Sequence, residues 1–440
     1  MLTLSRRRSR STQAPRSRRS TDGSTIDLRN VRQTKRTPTT RDLTPKRRSM
    51  APRRQRRSLE EFSLGALTHT IRGSLAGLPK LYWTLLSLVL GLSVIGLVMV
   101  LSASYVLALN SKAYGFNGRY FFEHQFVFFG IGVVLMVTLS FIDLQRIRRL
   151  VPAALAVTIG LLIVVLVVSS KANVAKLSSR WIDVGFMTIQ PAELAKLVAI
   201  LFTASVLTKL RNLDDWRSWV YWIGGGIGAM LILIKLQPDH GTVLLIAAVV
   251  AAILCVAGVR LQWAVLSILL ACPVVLWLLT QGYHASRWIS LDPRNGSDAS
   301  TYQARAALTG IRLGGLWGAG LGESKMKWGR LPEAHTDEIF AVICEELGMI
   351  RAAAIVLLLA FLVGSCFEVA RRSRDRFARL TVLGIGTWLG LQAVINIGVA
   401  VALVPNKGFT LPFISYGGSA LLVMMTAMGL VLSAARSSAT

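Results

Sequence analysis

LPEAHTDEIFAVICEELGMIRAAAIVLLLAFLVG, residues 331–364, runs a polar cluster containing His335 and Asp337 directly into an apolar stretch long enough to cross a membrane. A span of roughly twenty residues covers about 30 Å of hydrocarbon at 1.5 Å per residue. The reading is a transmembrane helix over 338–367 with Asp337 at its mouth. A carboxylate held where membrane meets water can do proton chemistry without the full cost of a charge at the bilayer centre.

Working outward, the same apolar length recurs along the chain. Apolar residues make up 53% of the 440, and the mean hydropathy is +0.52. Ten spans are expected, at 81–103, 122–142, 150–169, 191–208, 218–235, 241–258, 262–280, 338–367, 380–403 and 412–435. The fourth opens on Pro191 and carries Glu193 and Lys196, and the sixth is short. The fold class is therefore an all-α polytopic membrane protein, with a large outer loop over 281–337 between spans seven and eight.

An even number of spans puts both termini on one side. The positive-inside rule makes that side cytoplasmic, because the loops facing it carry Arg146, Arg148 and Arg149, then Lys209, Arg211 and Arg217, then Arg260, then the run from Arg371 to Arg379. The outer loop's seven basic residues strain the rule, but the loop is near the length at which charge stops governing orientation.

The net charge of +28 is concentrated, with more than half of it in residues 1–57, where arginines stand among Ser, Thr, Pro and Gln. Such a segment cannot bury enough apolar surface to fold alone. No apolar h-region follows the first arginines, so it does not read as a signal peptide. Nucleic acid is excluded as a partner because the first aromatic residue is Phe62, leaving no platform for base stacking. The tail, residues 1–75, reads as a disordered cytoplasmic segment that touches anionic lipid, with an interfacial helix over 59–78. The transmembrane domain is 76–440.

Cys255, Cys272, Cys344 and Cys366 are scattered singly in apolar spans, without metal-ligand or disulfide spacing, and read as small buried hydrophobes. The glycines Gly314, Gly315, Gly318, Gly320 and Gly322 follow no strand and precede no Gly-Lys-Ser, so they read as a flexible or re-entrant segment and not a phosphate loop. Glu345 and Glu346 lie about 12 Å along the helix from Asp337 and must find partners inside the bundle. Gln392 and Asn396, one turn apart, read as interhelical hydrogen-bonders.

The remaining polar residues converge on the outer side. Arg180, Asp183, Gln190, Glu193 and Lys196 lie between and into spans three and four, Asp239 and His240 between spans five and six, Arg287, Tyr302, Gln303 and the His335-Thr336-Asp337 triplet in the large loop, and Lys407 and Ser415 in the last outer loop. Each has an ordinary explanation: Glu193 and Lys196 can neutralise each other at i,i+3, Trp181 fits an interfacial belt, and Asp337 could stabilise the first helical turn with Thr336 as N-cap. Four such clusters on one face argue for a site.

The strings RWIDVG, QPAELAKL, QPDHGT, LPEAHTDEIFAVICEELG and PNKGFTLPFISYGGSALL, in this order on ten spans, resemble the SEDS family (shape, elongation, division and sporulation) over roughly 75–435. The resemblance implies a membrane enzyme that polymerises lipid II into peptidoglycan glycan strands, working in cell division at the septum of the cell membrane. The pattern Pro405-Asn406-Lys407-Gly408 looks more like the division branch than the elongation branch. It implies Asp337 as the general base of glycosyl transfer, with Arg180, Lys196, Arg287 and Lys407 available to the pyrophosphate and Gln190, Glu193, His335, Thr336 and Ser415 around the substrate. It also implies a class B penicillin-binding protein transpeptidase and other division membrane proteins as partners. A divalent cation, Mg or Mn, suits a departing pyrophosphate, although no dedicated ligand cluster is visible. Two departures stand out. Glu338 occupies a position usually bulky and apolar, placing a second carboxylate beside Asp337, and Ala306 replaces a common Gln.

Two other classes compete. A flippase or transporter of lipid-linked precursor would also need polar residues within the membrane, but no self-similarity relates spans one to five to spans six to ten. A non-catalytic scaffold would leave the charge of the outer loop unexplained.

Overall fold

The computed structural model describes residues 79–171, 180–183, 188–210, 216–259, 299–405 and 408–438. The tail, the helix expected over 59–78, the span over 262–280, Cys272, Arg287 and Lys407 lie outside the described residues. Within them, nine helices are long and apolar enough to cross a membrane, each matching an expected span.

These are α1 (Lys80–Leu109), α2 (Tyr120–Ser140), α3 (Leu144–Lys171), α4 (Pro191–Lys209), α5 (Arg217–Leu236, with a π-turn at Val220–Gly224), α6 (His240–Ala257), α8 (Ile339–Arg372), α9 (Arg376–Ala400) and α10 (Gly418–Ser437). A short antiparallel pair, Ile182–Asp183 with Thr188–Ile189, precedes α4. The expected outer loop is not all loop: it contains α7, Ala299–Gly314.

The most enclosed helices are α4, α9 and α10, whereas α2 and α3 bury only narrow stripes. Side chains such as Val134, Leu357 and Val394 stand exposed on outer faces, as expected of surfaces that meet lipid. Central helices can carry polar groups only when those are paired. This explains how α4, with Glu193 and Lys196, sits in the middle. Pro191 at its first position costs nothing, because the first-turn N–H groups have no intrahelical acceptor. Helices α2 and α10 lie along each other, and a Cβ on Gly429 would come within 2.8 Å of the Met136 carbonyl oxygen, so the close approach depends on a small residue as in other membrane bundles.

The expected single helix over 338–367 is broken. Gly348 adopts φ 82° and ψ 167° inside α8, dividing it into a short outer piece and a long inner one. The glycine segment expected to be flexible fills the break. Ala319 and Gly320 donate backbone hydrogen bonds to the carbonyls of Glu345 and Glu346, and Met349 and Ile350 donate to those of Gly315 and Leu316. Helix ends in a membrane need such partners, since no water is there to supply them. A Cβ on Gly314 would lie 2.0 Å from the Cys344 carbonyl oxygen. The glycines thus serve close backbone packing, so of the two readings, flexible or re-entrant, the structure favours the re-entrant one.

Cys344 and Cys366 are buried as expected, but Cys255 is exposed on α6. A single apolar stretch does not reveal which of its faces turns outward.

Candidate active site

Asp337 is not in the first turn of α8. The helix begins at Ile339 with Glu338 in the capping position, and no side chain caps it. The expectation that Thr336 is the N-cap fails, because its hydroxyl turns back to the Glu333 carboxylate at 2.7 Å and the Glu333 carbonyl at 3.2 Å. Asp337 therefore sits, half-buried, in the turn that leads into the short outer piece of α8. Its carbonyl accepts a hydrogen bond from Asn396 Nδ2 on α9 at 2.8 Å. A Cβ placed on Gly408 would be 3.6 Å from Asp337 Oδ2, so the last outer loop runs against the carboxylate.

That loop, 408–417, draws the site together. Asn396 Nδ2 also donates to Phe409 O at 2.6 Å, and Gln392 Nε2 donates to Thr410 O at 2.9 Å. From α2, Gln125 Nε2 donates to Ser415 O and its Oε1 accepts from Gly417 N, both at 3.2 Å. Tyr416 N donates to His335 O at 2.9 Å. Ser415, placed at the substrate by the sequence reading, uses its hydroxyl to accept from Leu411 N at 2.7 Å, closing the turn. Gln125 was not singled out from the sequence. Its only signal there is its place in the polar triplet Glu123-His124-Gln125 at the start of an apolar span.

On α4, Lys196 is 2% exposed. Its ammonium meets Glu193 Oε1 at 2.8 Å and Oε2 at 2.7 Å, and Gln392 Oε1 at 3.0 Å. It also lies over the Trp388 ring, 5.3 Å from the centroid. A buried ammonium needs such partners, and the pair reaches the 408–417 loop through Gln392. Arg180 gives Nε and Nη2 to the carbonyls of Gln237 and Pro238. Gln190 N donates to Ser419 Oγ at 3.3 Å. Asp239 caps α6, accepting from Thr242 N at 3.1 Å and from its hydroxyl at 2.9 Å. The structure thus gathers Asp337, His335, Ser415 and, one side chain removed, Lys196 and Glu193. It leaves Arg180 engaged with the α5–α6 turn.

Below the turn, two buried carboxylates hold the short piece of α8. Glu345 accepts from Ser324 Oγ at 2.5 Å and Lys325 N at 2.7 Å. Glu346 accepts from Ser102 Oγ of α1 at 2.7 Å and from Lys327 Nζ at 3.1 Å. The expectation that both find partners inside the bundle holds, and Ser324 and Lys327 are contributors that the sequence did not mark.

Burial lowers the basicity of His335, against an opposing pull from Glu333, so its imidazole is neutral at pH 7. Burial, and secondarily the charge of Asp337, pushes Glu338 up to about 8. Glu338 is 1% exposed, and its Oε2 has no hydrogen-bond partner. Near pH 7 the Glu338 carboxyl is therefore mostly protonated and neutral. A raised acid stabilises the fold fully below its unfolded value near 4.5 and loses that contribution as pH rises through about 8. Detergent-solubilised protein should therefore melt at progressively lower temperature from about pH 5 to about pH 8 and level off above that, and Glu338→Gln should flatten the decline. A decline of equal slope in the variant would assign the effect to another group.

Among the described residues no three of His, Cys, Asp or Glu come together to hold a metal ion. What the site offers is one half-buried carboxylate just before α8, set in a turn whose main chain is fixed by α9 and by the 408–417 loop. That arrangement can accept a proton from a bound hydroxyl.

The family model described as cell cycle protein, covering FtsW, RodA and SpoVE, matches residues 82–440. A probable peptidoglycan glycosyltransferase FtsW of Coxiella burnetii is 36% identical over 355 residues, 78% of this chain and 93% of that protein. Stage V sporulation protein E of Bacillus subtilis is 35% identical over 362 residues, covering 81% of this chain and 97% of its own. Among solved structures, a chain from a study of coordinated polymerisation and crosslinking by a peptidoglycan synthase complex superposes with a TM-score of 0.66 at 26% identity, over 82% of this chain and 98% of that one. The rod shape determining protein RodA of Thermus thermophilus gives 0.59 at 26% identity, over 82% and 97%.

Proposed function

This chain belongs to the cell cycle protein family of FtsW, RodA and SpoVE and is a peptidoglycan glycosyltransferase; we propose that it polymerises lipid II at the outer face of the cytoplasmic membrane, with Asp337 as general base. The observation that carries this reading is the setting of Asp337. It is a half-buried carboxylate at the entrance of α8, its main chain held by Asn396 and its side chain beside Gly408.

In the proposed step the acceptor sugar hydroxyl attacks the anomeric carbon of the donor. The new C–O bond forms as the anomeric C–O bond to phosphate breaks. The electron pair leaves with the lipid pyrophosphate, and the hydroxyl proton passes to Asp337. Such a base contributes roughly 10²–10⁴-fold. Neutral Glu338 spares Asp337 a second adjacent charge, which supports an ionised base near pH 7.

The pyrophosphate needs cations. Lys196 and Arg180 already have partners within the protein, so the neutralising role falls first to Lys407, the residue before Gly408 in sequence, and Arg287 is the second candidate. Lys407→Ala should lower polymerisation strongly, while Lys407→Arg keeps part of it, because charge survives and geometry changes. Equal loss in both variants would make the role structural, and wild-type rates in the alanine variant would remove Lys407 from the site. A divalent cation, Mg or Mn, would share this charge.

The resemblance to a chain of a peptidoglycan synthase complex supports a partner that cross-links the strand, a class B penicillin-binding protein. The similarity to FtsW proteins supports a role in division at the septum, alongside other division membrane proteins. The basic tail and loops support cytoplasmic termini and contact with anionic lipid.

The transporter reading loses ground at the break in α8. Transporters leave half-helix ends free to bind ligands, whereas here the carbonyls of Glu345 and Glu346 and the amides of Met349 and Ile350 are paired with 315–320. The test is direct. Purified chain, alone or with the transpeptidase, should turn lipid II into polymer. Lipid II crossing a reconstituted bilayer with no polymer would overturn the enzyme reading in favour of transport.

A further inference from the structure

Phe121, at the start of α2, is buried at the hub of an aromatic cluster that the proposed step does not use. Its ring lies 4.5 Å from His335, 4.9 Å from Tyr416 at 88°, 4.8 Å from Tyr114 and 5.3 Å from Tyr120. Tyr114 and Tyr120 are 5.0 Å apart. The cluster is tied to the turn that carries the base: Tyr416 N is bonded to His335 O, and His335 stands two residues before Asp337.

We infer that Tyr114, Tyr120 and Tyr416, backed by Phe121 and His335, form a subsite for an N-acetylated pyranose ring of the substrate, beside Asp337. The inference rests on the proposed glycosyl transfer and deepens it.

Three observations carry it. First, Phe121 and His335 are buried while the three tyrosines are only half-buried, so the rings present both apolar surface and hydroxyls to a ligand. Sugar-ring C–H faces pack on such surfaces while hydroxyls and acetamido groups need donors and acceptors, the mixture typical of small-molecule sites. Second, the buried His335 Nδ1 has no hydrogen-bond partner, and buried polar atoms are normally paired. A neutral imidazole nitrogen can donate or accept, as sugar hydroxyls require. Third, burial pushes the Tyr416 phenol up to about 12, with Tyr120 and Tyr114 adding to the rise. The Tyr416 hydroxyl is therefore uncharged, which suits a sugar and not the pyrophosphate. A membrane-interface belt would also use tyrosine, but a belt does not require rings from two separate segments to meet next to the reactive carboxylate.

The test uses full-length purified protein and two probes, a soluble tetrasaccharide of alternating N-acetylglucosamine and N-acetylmuramic acid, and lipid II. Tyr120→Ala should weaken tetrasaccharide binding and raise KM for lipid II, each about tenfold, the order expected for losing one stacked ring, with kcat nearly unchanged. Tyr120→Trp should restore most of the loss. If Tyr120→Ala does not fold, Tyr114→Ala takes its place with Tyr114→Trp as the rescue. Unchanged binding, equal loss in the alanine and tryptophan variants, or a fall in kcat at constant KM would overturn the subsite. A chain that binds the tetrasaccharide through Tyr120 but makes no polymer would sink the proposed function while upholding the sugar site. A chain that polymerises with sugar binding indifferent to Tyr120 would do the reverse.

Discussion

Asp337→Asn protein should insert, fold and engage the proposed partner, yet make at least about 10²-fold less glycan polymer than wild type, the lower end for removal of a general base. Asn preserves the size and planar shape of the side chain but cannot take up the hydroxyl proton. The fold should tolerate it, because the contact from Asn396 is to the Asp337 main-chain carbonyl and survives the change. The structure also sharpens the comparison. Had Asp337 been a capping residue, Asn would have replaced it at little cost, but α8 starts at Ile339, beyond it. Lipid II polymerisation by purified variant and wild type is the measurement. Near wild-type rates would move the base elsewhere, and the neighbours then rank by what they already do. Asp239 caps α6, Glu333 is bonded to Thr336, and Glu338 remains the acid with an unpaired oxygen.

Gly348→Ala is expected to cost the fold about 3 kcal/mol or more. The φ of 82° and ψ of 167° lie in a region essentially reserved for glycine, and strain there costs of order 1–3 kcal/mol. Overlap adds to it, since an added Cβ would fall 2.4 Å from both Gly318 N and Trp317 C and 2.5 Å from Leu316 O. All three are backbone atoms, so no side chain can turn away to make room. Gly364, on the inner piece of the same helix, has nothing within 4 Å of its Cβ position, and Gly364→Ala should leave stability unchanged or raise it slightly. Thermal unfolding of the two variants in detergent checks the pair. Equal midpoints would mean that the break is not clamped by 315–320.

Because the short outer piece of α8 carries Asp337 at its entrance, the clamp also bears on chemistry. Glu345 and Glu346 anchor that piece to Ser324, Lys325, Lys327 and Ser102. Removing one partner of a buried charge pair leaves the other unpaired, which is costly. The sequence correctly marked the two glutamates as needing partners but could not say that these lie on α1 and just beyond the glycine-rich segment.

The sequence by itself determined the membrane class and the positions of nine described spans. A hydrocarbon environment makes each spanning segment satisfy its own backbone, so the signal is local and survives in one chain read alone. Even α4, which opens on proline and carries two charges, was legible by length and hydropathy.

Only the tertiary structure decided how the polar residues are used. It paired Lys196 with Glu193 and Gln392, turned Thr336 away from the helix start, and broke α8 at Gly348. It also let Gln125 grip a loop 290 residues away in the chain. Each of these depends on which distant segment arrives beside a residue, and hydropathy carries no record of that. A buried polar side chain must be satisfied, but the sequence names only the need. The partner is chosen by packing, once the helices have come together.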